Sequence, residues 1–254
     1  MEWYIILAVI AVGFIAGFIN TIAGSGSLLS LPFLMFLGLP ANVANGTNRI
    51  AILFQNIVAV KSFHNKKVLN FKQGIWLAIP AIVGSLIGAQ FAVNINDEIM
   101  KKAIGGLLII MFFFILLKPS DWINGKAGTV GVKPNILQIV IFFCIGVYGG
   151  FIQAGVGLFL LGGLVLSAGF DLVRANAIKV LIILCYTPFA LGIYIYNNQI
   201  DYKWGLILAA GNMLGAFIAT KFAVNWGPKY IRIILLVILF FASLKLIGVD
   251  EYIF

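Results

Sequence analysis

The tetrapeptide Phe91-Ala92-Val93-Asn94 occurs again as Phe222-Ala223-Val224-Asn225, a shift of 131 positions (222 minus 91). Further identities, most of them glycines, occur at the same shift. In the first copy they are Gly24, Gly26, Gly38, Asn45, Lys72, Gly74 and Gly84, and in the second Gly155, Gly157, Gly169, Asn176, Lys203, Gly205 and Gly215. Because one shift accounts for all of them, the sequence indicates an internal duplication.

The loop charges of the two copies do not match. One loop of the first copy is crowded with lysines: Lys61, Lys66, Lys67 and Lys72. The corresponding stretch of the second copy, residues 197–203, is neutral. The next loop reverses the contrast, with Asp97, Glu98, Lys101 and Lys102 in the first copy and only Lys221, Lys229 and Arg232 in the second. Since basic loops of membrane proteins face the cytoplasm, the copies are predicted to lie upside down relative to each other.

The composition indicates an integral membrane protein. Of the 254 residues, 62% are hydrophobic and only 10% charged, too little polar sequence to coat a globule of this size. Long apolar segments cover 3–19, 50–63, 74–93, 103–117, 136–151, 178–196, 204–222 and 231–246, and two shorter ones, 28–39 and 158–170, each follow a glycine pair. We therefore predict an all-α integral membrane protein with two inverted-topology repeats and about 8–10 hydrophobic helices, including short or re-entrant glycine-led segments.

The duplication and the basic loops together predict domains and orientation. Repeat one covers residues 1–118, a cytoplasmic linker 119–135, and the inverted repeat two 136–254. If the loop from Lys61 to Lys72 is cytoplasmic, twelve of the seventeen basic residues lie inside the cell and both termini outside. The protein is then a multi-pass protein of the plasma membrane, with either ten crossings or six crossings and two hairpins. The net charge of +9 reflects this orientation, and no nucleic-acid partner is expected.

Two glycine turns are candidate substrate-lining segments. They contain Asn20, Thr21, Gly24, Ser25, Gly26 and Ser27 in repeat one and Gln153, Gly155 and Gly157 in repeat two. Irregular backbone within a bilayer is tolerated where it lines a cavity, and a helix that begins after such a turn offers free N–H groups to an anion. Close helix packing is the alternative explanation for the glycines.

Two cations lie near the start of equivalent apolar segments. Asn48 corresponds to Lys179 at the 131-residue shift, so Arg49 and Lys179 are a candidate pseudo-symmetric pair. With the polar neighbours Asn45, Thr47, Asn48 and Asn176, they are predicted to offer hydrogen-bond donors to a tetrahedral anion. The alternative is that either cation marks a membrane interface or extends to lipid headgroups.

Other chemistry finds little support in the sequence. All eight acidic residues lie in loops or at the termini, and no cofactor or metal site is expected. The triplet Gly24-Ser25-Gly26 is superficially similar to an intramembrane serine-protease nucleophile. However, the single histidine, His64, lies in the lysine-rich loop, where it cannot act as the base. We therefore expect that the protein is not an enzyme.

The combined pattern resembles one family of membrane proteins. It consists of Gly17 to Gly26, a run that ends in Pro32, Gly38-Leu39-Pro40 and Asn45-Gly46-Thr47-Asn48, with a weaker copy from Gly150 to Lys179. This resembles the sulfite exporter TauE/SafE family, also called the toluene-sulfonate uptake permeases, over essentially the whole chain. The resemblance implies a plasma-membrane protein that moves sulfite, sulfoacetate or related organosulfonates, in either direction.

The residues and the resemblance together predict a secondary transporter of small sulfur-containing anions, with export by alternating access as the expected mode. Its expected partners are the anion and the lipid bilayer, and a homodimer is possible. An anion channel of the same fold and a membrane scaffold that transports nothing remain as alternatives.

Overall fold

The computed structural model describes residues 3–116 and 134–222, and these ranges consist of helices and short turns without a strand. The helices are α1 (Trp3–Ala23), α2 (Ser27–Phe36), α3 (Ala41–Asn65), α4 (Phe71–Asn94), α5 (Asp97–Leu116), α6 (Ile136–Phe151), α7 (Val156–Gly162, continued by the π-helical Gly163–Ser167), α8 (Leu172–Tyr196) and α9 (Tyr202–Phe222). Within these ranges four helices, α1, α4, α8 and α9, are long and apolar enough to cross a membrane. The predicted all-helical membrane fold is therefore confirmed.

Local sequence explains where several helices start. Asn135 and Gln138 form a capping box at the start of α6, in which each side chain accepts from the other residue's backbone N–H. Asp171 starts α8 by accepting from the N–H groups of Val173 and Arg174. Asn70 does the same for α4 by accepting from the N–H of Gln73.

The turns that follow equivalent helices share a backbone conformation. Gly38 after α2 has a φ of 91°, and its counterpart Gly169 has a φ of 74°. Lys67 after α3 has a φ of 58°, and Asn198, at the same 131-residue shift (198 minus 67), has a φ of 54°. Apart from glycines, these are the only described residues with positive φ. The duplication seen in the sequence therefore extends to its tightest turns.

Helix α3 starts earlier than its apolar segment suggested. The apolar run begins at Ile50, but the helix begins at Ala41, directly after Pro40. The polar stretch from Asn45 to Arg49 is therefore inside the helix and buried. Hydropathy alone misses this, because polar residues continue a helix wherever neighbouring helices satisfy their hydrogen bonds.

The first helix of each repeat packs against a helix of the other repeat. Helix α1 packs against α9, and its equivalent α6 packs against α4, the equivalent of α9. A Cβ on Gly17 of α1 would lie 2.6 Å from the Cα of Asn212 in α9, and one on Gly146 of α6 would lie 2.7 Å from the Cα of Ala81 in α4. Ala81 and Asn212 correspond at the 131-residue shift (212 minus 81). Each repeat therefore completes the core of the other.

Helix α3 runs parallel to α9 and antiparallel to α8. Along α9, Thr47 accepts from the N–H of Asp201, and Ser62 hydrogen-bonds Thr220 farther on, so α3 and α9 run in the same direction. Along α8 the order reverses, because Asn45 near the start of α3 bonds Tyr194 near the end of α8, whereas Phe63 near the end of α3 lies in one hydrophobic cluster with Ala177 near the start of α8. Helix α3 therefore runs antiparallel to its own equivalent, α8.

Helices α4 and α8 share a direction. Gly74, near the start of α4, packs against Leu181 in α8, and the carbonyl of Val93, near the end of α4, accepts from Gln199 just after α8. Helix α4 is thus also antiparallel to its equivalent, α9, which runs with α3. An inverted duplication would produce these directions. The inversion relative to a membrane stays a prediction.

Basic residues from both repeats lie together at one end of the bundle. Lys66, after α3, donates to the carbonyl of Thr220, next to Lys221. Burial and, secondarily, the charge of Lys221 lower the pKa of Lys66. At the opposite end Asp97 accepts from the N–H of Asn42. The predicted linker up to residue 133, the boundary at residue 118, the basic residues beyond Phe222 and the last apolar segment lie outside the described residues.

Candidate functional site

Arg49 is fully buried in α3 and binds the end of α6. Its Nη1 donates to the carbonyl of Gly149 at 3.0 Å and to Oε1 of Gln153 at 2.9 Å, and its Nη2 donates to the carbonyl of Gly150 at 2.6 Å. The guanidinium also lies over the ring of Tyr194, 4.6 Å from its centroid. Only Nε of this side chain has no hydrogen-bond partner.

Lys179 is fully buried in α8 and binds the end of α1. Its Nζ donates to the carbonyls of Asn20 and Thr21, both at 3.1 Å, and to Oδ1 of Asn176 at 2.7 Å. An ammonium group has three N–H donors, so each has a protein acceptor.

Each of the two cations binds the end of a helix in the other repeat. Arg49 of the first repeat binds the last turn of α6, and Lys179 of the second repeat binds the last turn of α1. The last carbonyls of a helix lack partners within it and form the negative end of its dipole, so a cation there is favourable. Each of the two residues thus binds the first long helix of the other repeat, from adjacent rather than identical repeat positions, and their role in substrate binding stays a prediction.

The cations do not meet. In an antiparallel helix pair, one step forward along α3 faces one step back along α8. Because Asn45 faces Tyr194, the residue of α3 that faces Lys179 is residue 60 (45 plus 194 minus 179). Arg49 is eleven residues away from that position (60 minus 49), or about 16 Å of helix at 1.5 Å per residue. The bundle thus contains two cation clusters at different depths rather than one.

The glycine turns do meet. A Cβ on Gly24, which has a φ of 78°, would lie 2.5 Å from the Cα of Gly157. A Cβ on Gly26 would collide with the backbone of Ala16, and Gly155 adopts a φ of 73° beside Met111. Close packing and backbone conformation therefore explain these glycines. Ser25 and Ser27 in the first turn are buried, and the hydroxyl of Ser25 has no partner.

The remaining predicted residues lie along α3 with different roles. Asn45 donates to the hydroxyl of Tyr194 and to the carbonyl of Phe151, both at 2.7 Å, and so belongs to the Arg49 cluster. Asn48 accepts from Ser30 of α2 at 2.7 Å, while its Nδ2 has no partner. Thr47 caps the turn before α9 and lies in neither cluster.

Sequence reasoning missed several buried polar residues beside these clusters. Oε1 of Gln55 accepts from the side-chain amides of Asn20 and Asn212, each at 3.2 Å. The hydroxyl of Tyr186 accepts from Gln153 at 3.0 Å. Gln55 and Tyr186 correspond at the 131-residue shift (186 minus 55), and an amide inside an apolar segment was the available signal.

No carboxylate balances either cation in the described part of the chain. The salt bridges there, Lys102 with Glu98 and Arg174 with Asp171, are exposed. The same residues contain no group of three metal-ligating side chains. The buried Arg49 and Lys179 thus bind only neutral acceptors, an arrangement suited to an anionic ligand.

Comparisons with known proteins give the family. The family profile described as sulfite exporter TauE/SafE matches residues 9–246. The chain is 27% identical to the probable membrane transporter protein ORF9 of Sinorhizobium sp., over 98% of this chain and 94% of that protein. It is also 27% identical to the probable membrane transporter protein YfcA of Escherichia coli K12, over 93% of this chain and 87% of the other.

A third relative is similar to the same degree. The probable membrane transporter protein MJ0441 of Methanocaldococcus jannaschii is 28% identical, over 89% of each chain. No solved structure matches the chain. Since the family profile covers nearly the full length and the long apolar helices fit several membrane crossings, this chain belongs to the sulfite exporter TauE/SafE family of multi-pass membrane transporters.

Proposed function

We propose that the protein exports small sulfur oxyanions, sulfite or short organosulfonates, across the plasma membrane by alternating access. The observation that carries this proposal is the burial of Arg49 and Lys179 without a compensating carboxylate among the described residues. Ionised side chains at membrane depth are costly and usually mark a transport path. An anion that binds near them offsets the buried charge.

Each cation binds carbonyls of the other repeat. Its contacts therefore break if the repeats separate on that side, as alternating access requires. Arg49 links repeat one to Gly149 of repeat two, and Lys179 links repeat two to Asn20 of repeat one. If the repeats separate at one side of the membrane, the cation on that side leaves its carbonyls and becomes free to bind an anion. The other cation stays bound, so the two sides do not open together.

The glycine contact joins the two turns that follow the clusters in the sequence. Gly24 follows Asn20 in the Lys179 cluster, and Gly157 follows Gln153 in the Arg49 cluster. An anion that passes from one cation to the other must cross this contact, where the backbones touch. We infer that this contact closes the path between the Arg49 cluster and the Lys179 cluster.

The substrate class follows from the donors and from the family. Arginine binds two oxygens of an oxyanion at once, and lysine supplies a compact charge, so both suit sulfite or a sulfonate. The name of the family supports a sulfur anion, whereas the names of the relatives specify only a membrane transporter. For export from an inside-negative cell, the membrane potential contributes about 2.3 kcal/mol per charge per 100 mV without a coupling ion.

The test is sulfite flux in proteoliposomes with Arg49→Ala and Lys179→Ala variants. Losing a buried charged donor to a ligand costs about 2–5 kcal/mol, so we expect flux to fall by roughly 30-fold or more in each. Lys61→Ala is the matched control, because Lys61 is exposed on the same helix as Arg49, and its flux should not change.

Folding of the variants is checked by size-exclusion chromatography, and Arg49→Lys provides a variant that keeps the charge. Normal flux in both alanine variants would rule out the proposed path. Unitary currents in a planar bilayer would instead favour the anion channel over a transporter.

A further inference from the structure

Three buried amides from three helices meet next to the Lys179 cluster. We call Asn20 of α1, Gln55 of α3 and Asn212 of α9 the amide triad, since the side chains of Asn20 and Asn212 both donate to Oε1 of Gln55 at 3.2 Å. All three residues are at least nine-tenths buried. Asn212 is the central residue of α9, so the triad lies at the middle of that helix.

The triad leaves one donor and one acceptor without partners. Nε2 of Gln55 and Oδ1 of Asn212 are buried and make no hydrogen bond. Burying an unpaired amide group costs free energy, so packing alone does not favour amides at these positions. The other repeat supports this point, because the residue equivalent to Asn212 is Ala81. The fold therefore does not need an amide there.

Asn20 connects the triad to the buried charge. Its main-chain carbonyl accepts from Lys179, while its side chain donates to Gln55. A ligand bound between Lys179 and the triad would therefore meet a positive charge on one side and a neutral donor and acceptor on the other.

We propose that the amide triad binds a hydroxyl group of the transported anion while Lys179 balances its negative charge. A hydroxyl both donates and accepts, so it can donate to Oδ1 of Asn212 and accept from Nε2 of Gln55. The favoured ligands are sulfur oxyanions that carry an O–H group, such as hydrogen sulfite or a 2-hydroxyalkanesulfonate. This inference rests on the proposed transport of sulfur anions and adds its selectivity.

The test uses two ligands that differ by one hydroxyl group, ethanesulfonate and 2-hydroxyethanesulfonate. Binding to the full-length protein in detergent is measured from the ligand concentration that raises its melting temperature. We expect the wild type to bind the hydroxylated ligand roughly tenfold more tightly or better, because a site built for a hydroxyl rejects the analogue that lacks it.

The variants distinguish the contribution of the amide triad to ligand binding from that of Lys179. The double variant Gln55→Met and Asn212→Ala should bind both sulfonates equally and keep its affinity for ethanesulfonate, whereas Lys179→Ala should lose both ligands. Asn94→Ala is the control, since Asn94 is exposed in α4 and bonds only its own helix. It should retain the preference for the hydroxylated ligand.

Equal binding of the two sulfonates by the wild type would overturn the proposal, whether or not the double variant folds. A preference that persists in a folded double variant would overturn it as well. Failure of the proposed function has a different signature, namely that the wild type binds neither sulfonate and no sulfite either.

Discussion

At the scale of single residues, Arg49 and Lys179 bind carbonyls in the last turns of equivalent helices with different chemistry. The guanidinium of Arg49 reaches two carbonyls and the side chain of Gln153 with a planar set of donors. The ammonium of Lys179 reaches two carbonyls and the side chain of Asn176 with a compact charge. Both depend on neutral acceptors, so an anion competes with protein dipoles rather than with a carboxylate.

Tyr194 supports the Arg49 cluster through its hydroxyl. That group accepts from Asn45 at 2.7 Å and donates to the carbonyl of Phe151 at 3.2 Å. Tyr194→Phe keeps the ring under Arg49 but removes these bonds, so we expect a loss of about 1–3 kcal/mol of stability. The melting temperature in detergent measures the loss. Tyr196→Phe, two residues later and 87% exposed, is the control and should melt like the wild type. Equal destabilisation by both changes would contradict the assigned role.

Single residues were predictable from the sequence where a motif or charge marked them. Arg49 and Lys179 stood out as cations beside apolar segments, and the structure places both in polar clusters. Gln55 and Asn212 were missed, although each is an amide inside an apolar run, because that signal does not show which residues meet. Their meeting depends on the packing of α3 and α9, which the local sequence does not specify.

At the scale of the helices, the interrupted pairs α1–α2 and α6–α7 create the helix ends whose carbonyls the cations bind. Helix α2 has ten residues, about 15 Å, which is half of a bilayer core of roughly 30 Å. The sequence predicted these short glycine-led segments, because their length and glycine spacing are local properties. It did not predict that α3 begins at Ala41, because that start depends on tertiary partners for buried polar residues.

The contact between the two glycine turns should not tolerate a methyl group. Gly24→Ala combines a positive φ with a Cβ 2.5 Å from the Cα of Gly157, so backbone would have to move. We expect loss of monodisperse protein or of sulfite flux. Gly105→Ala in α5 is the control, because a Cβ there meets nothing within 4 Å and alanine favours a helix by up to about 1 kcal/mol. A Gly24→Ala protein with normal yield and flux would show that the turns separate freely.

At the scale of the whole molecule, the two repeats share their hydrophobic clusters, since the two largest contain residues of both repeats. Helix α1 packs mainly on α9 of the second repeat, and α6 packs mainly on the equivalent helix α4 of the first. Neither repeat buries its glycine-lined helix faces alone, so the free energy of folding depends on both together.

The predicted inversion specifies on which side of the membrane the equivalent helix ends lie. Asn65 and Tyr196 correspond at the 131-residue shift (196 minus 65), end the antiparallel helices α3 and α8, and are exposed. If each helix crosses the bilayer, these ends lie on opposite sides. With Cys144 and Cys185 replaced by serine, Asn65→Cys should react with an impermeant thiol reagent only after lysis, and Tyr196→Cys should react in intact cells. The positive-inside rule sets this order, since lysines flank Asn65. Labelling of both cysteines from the same side would contradict the inverted arrangement and the alternating-access mechanism built on it.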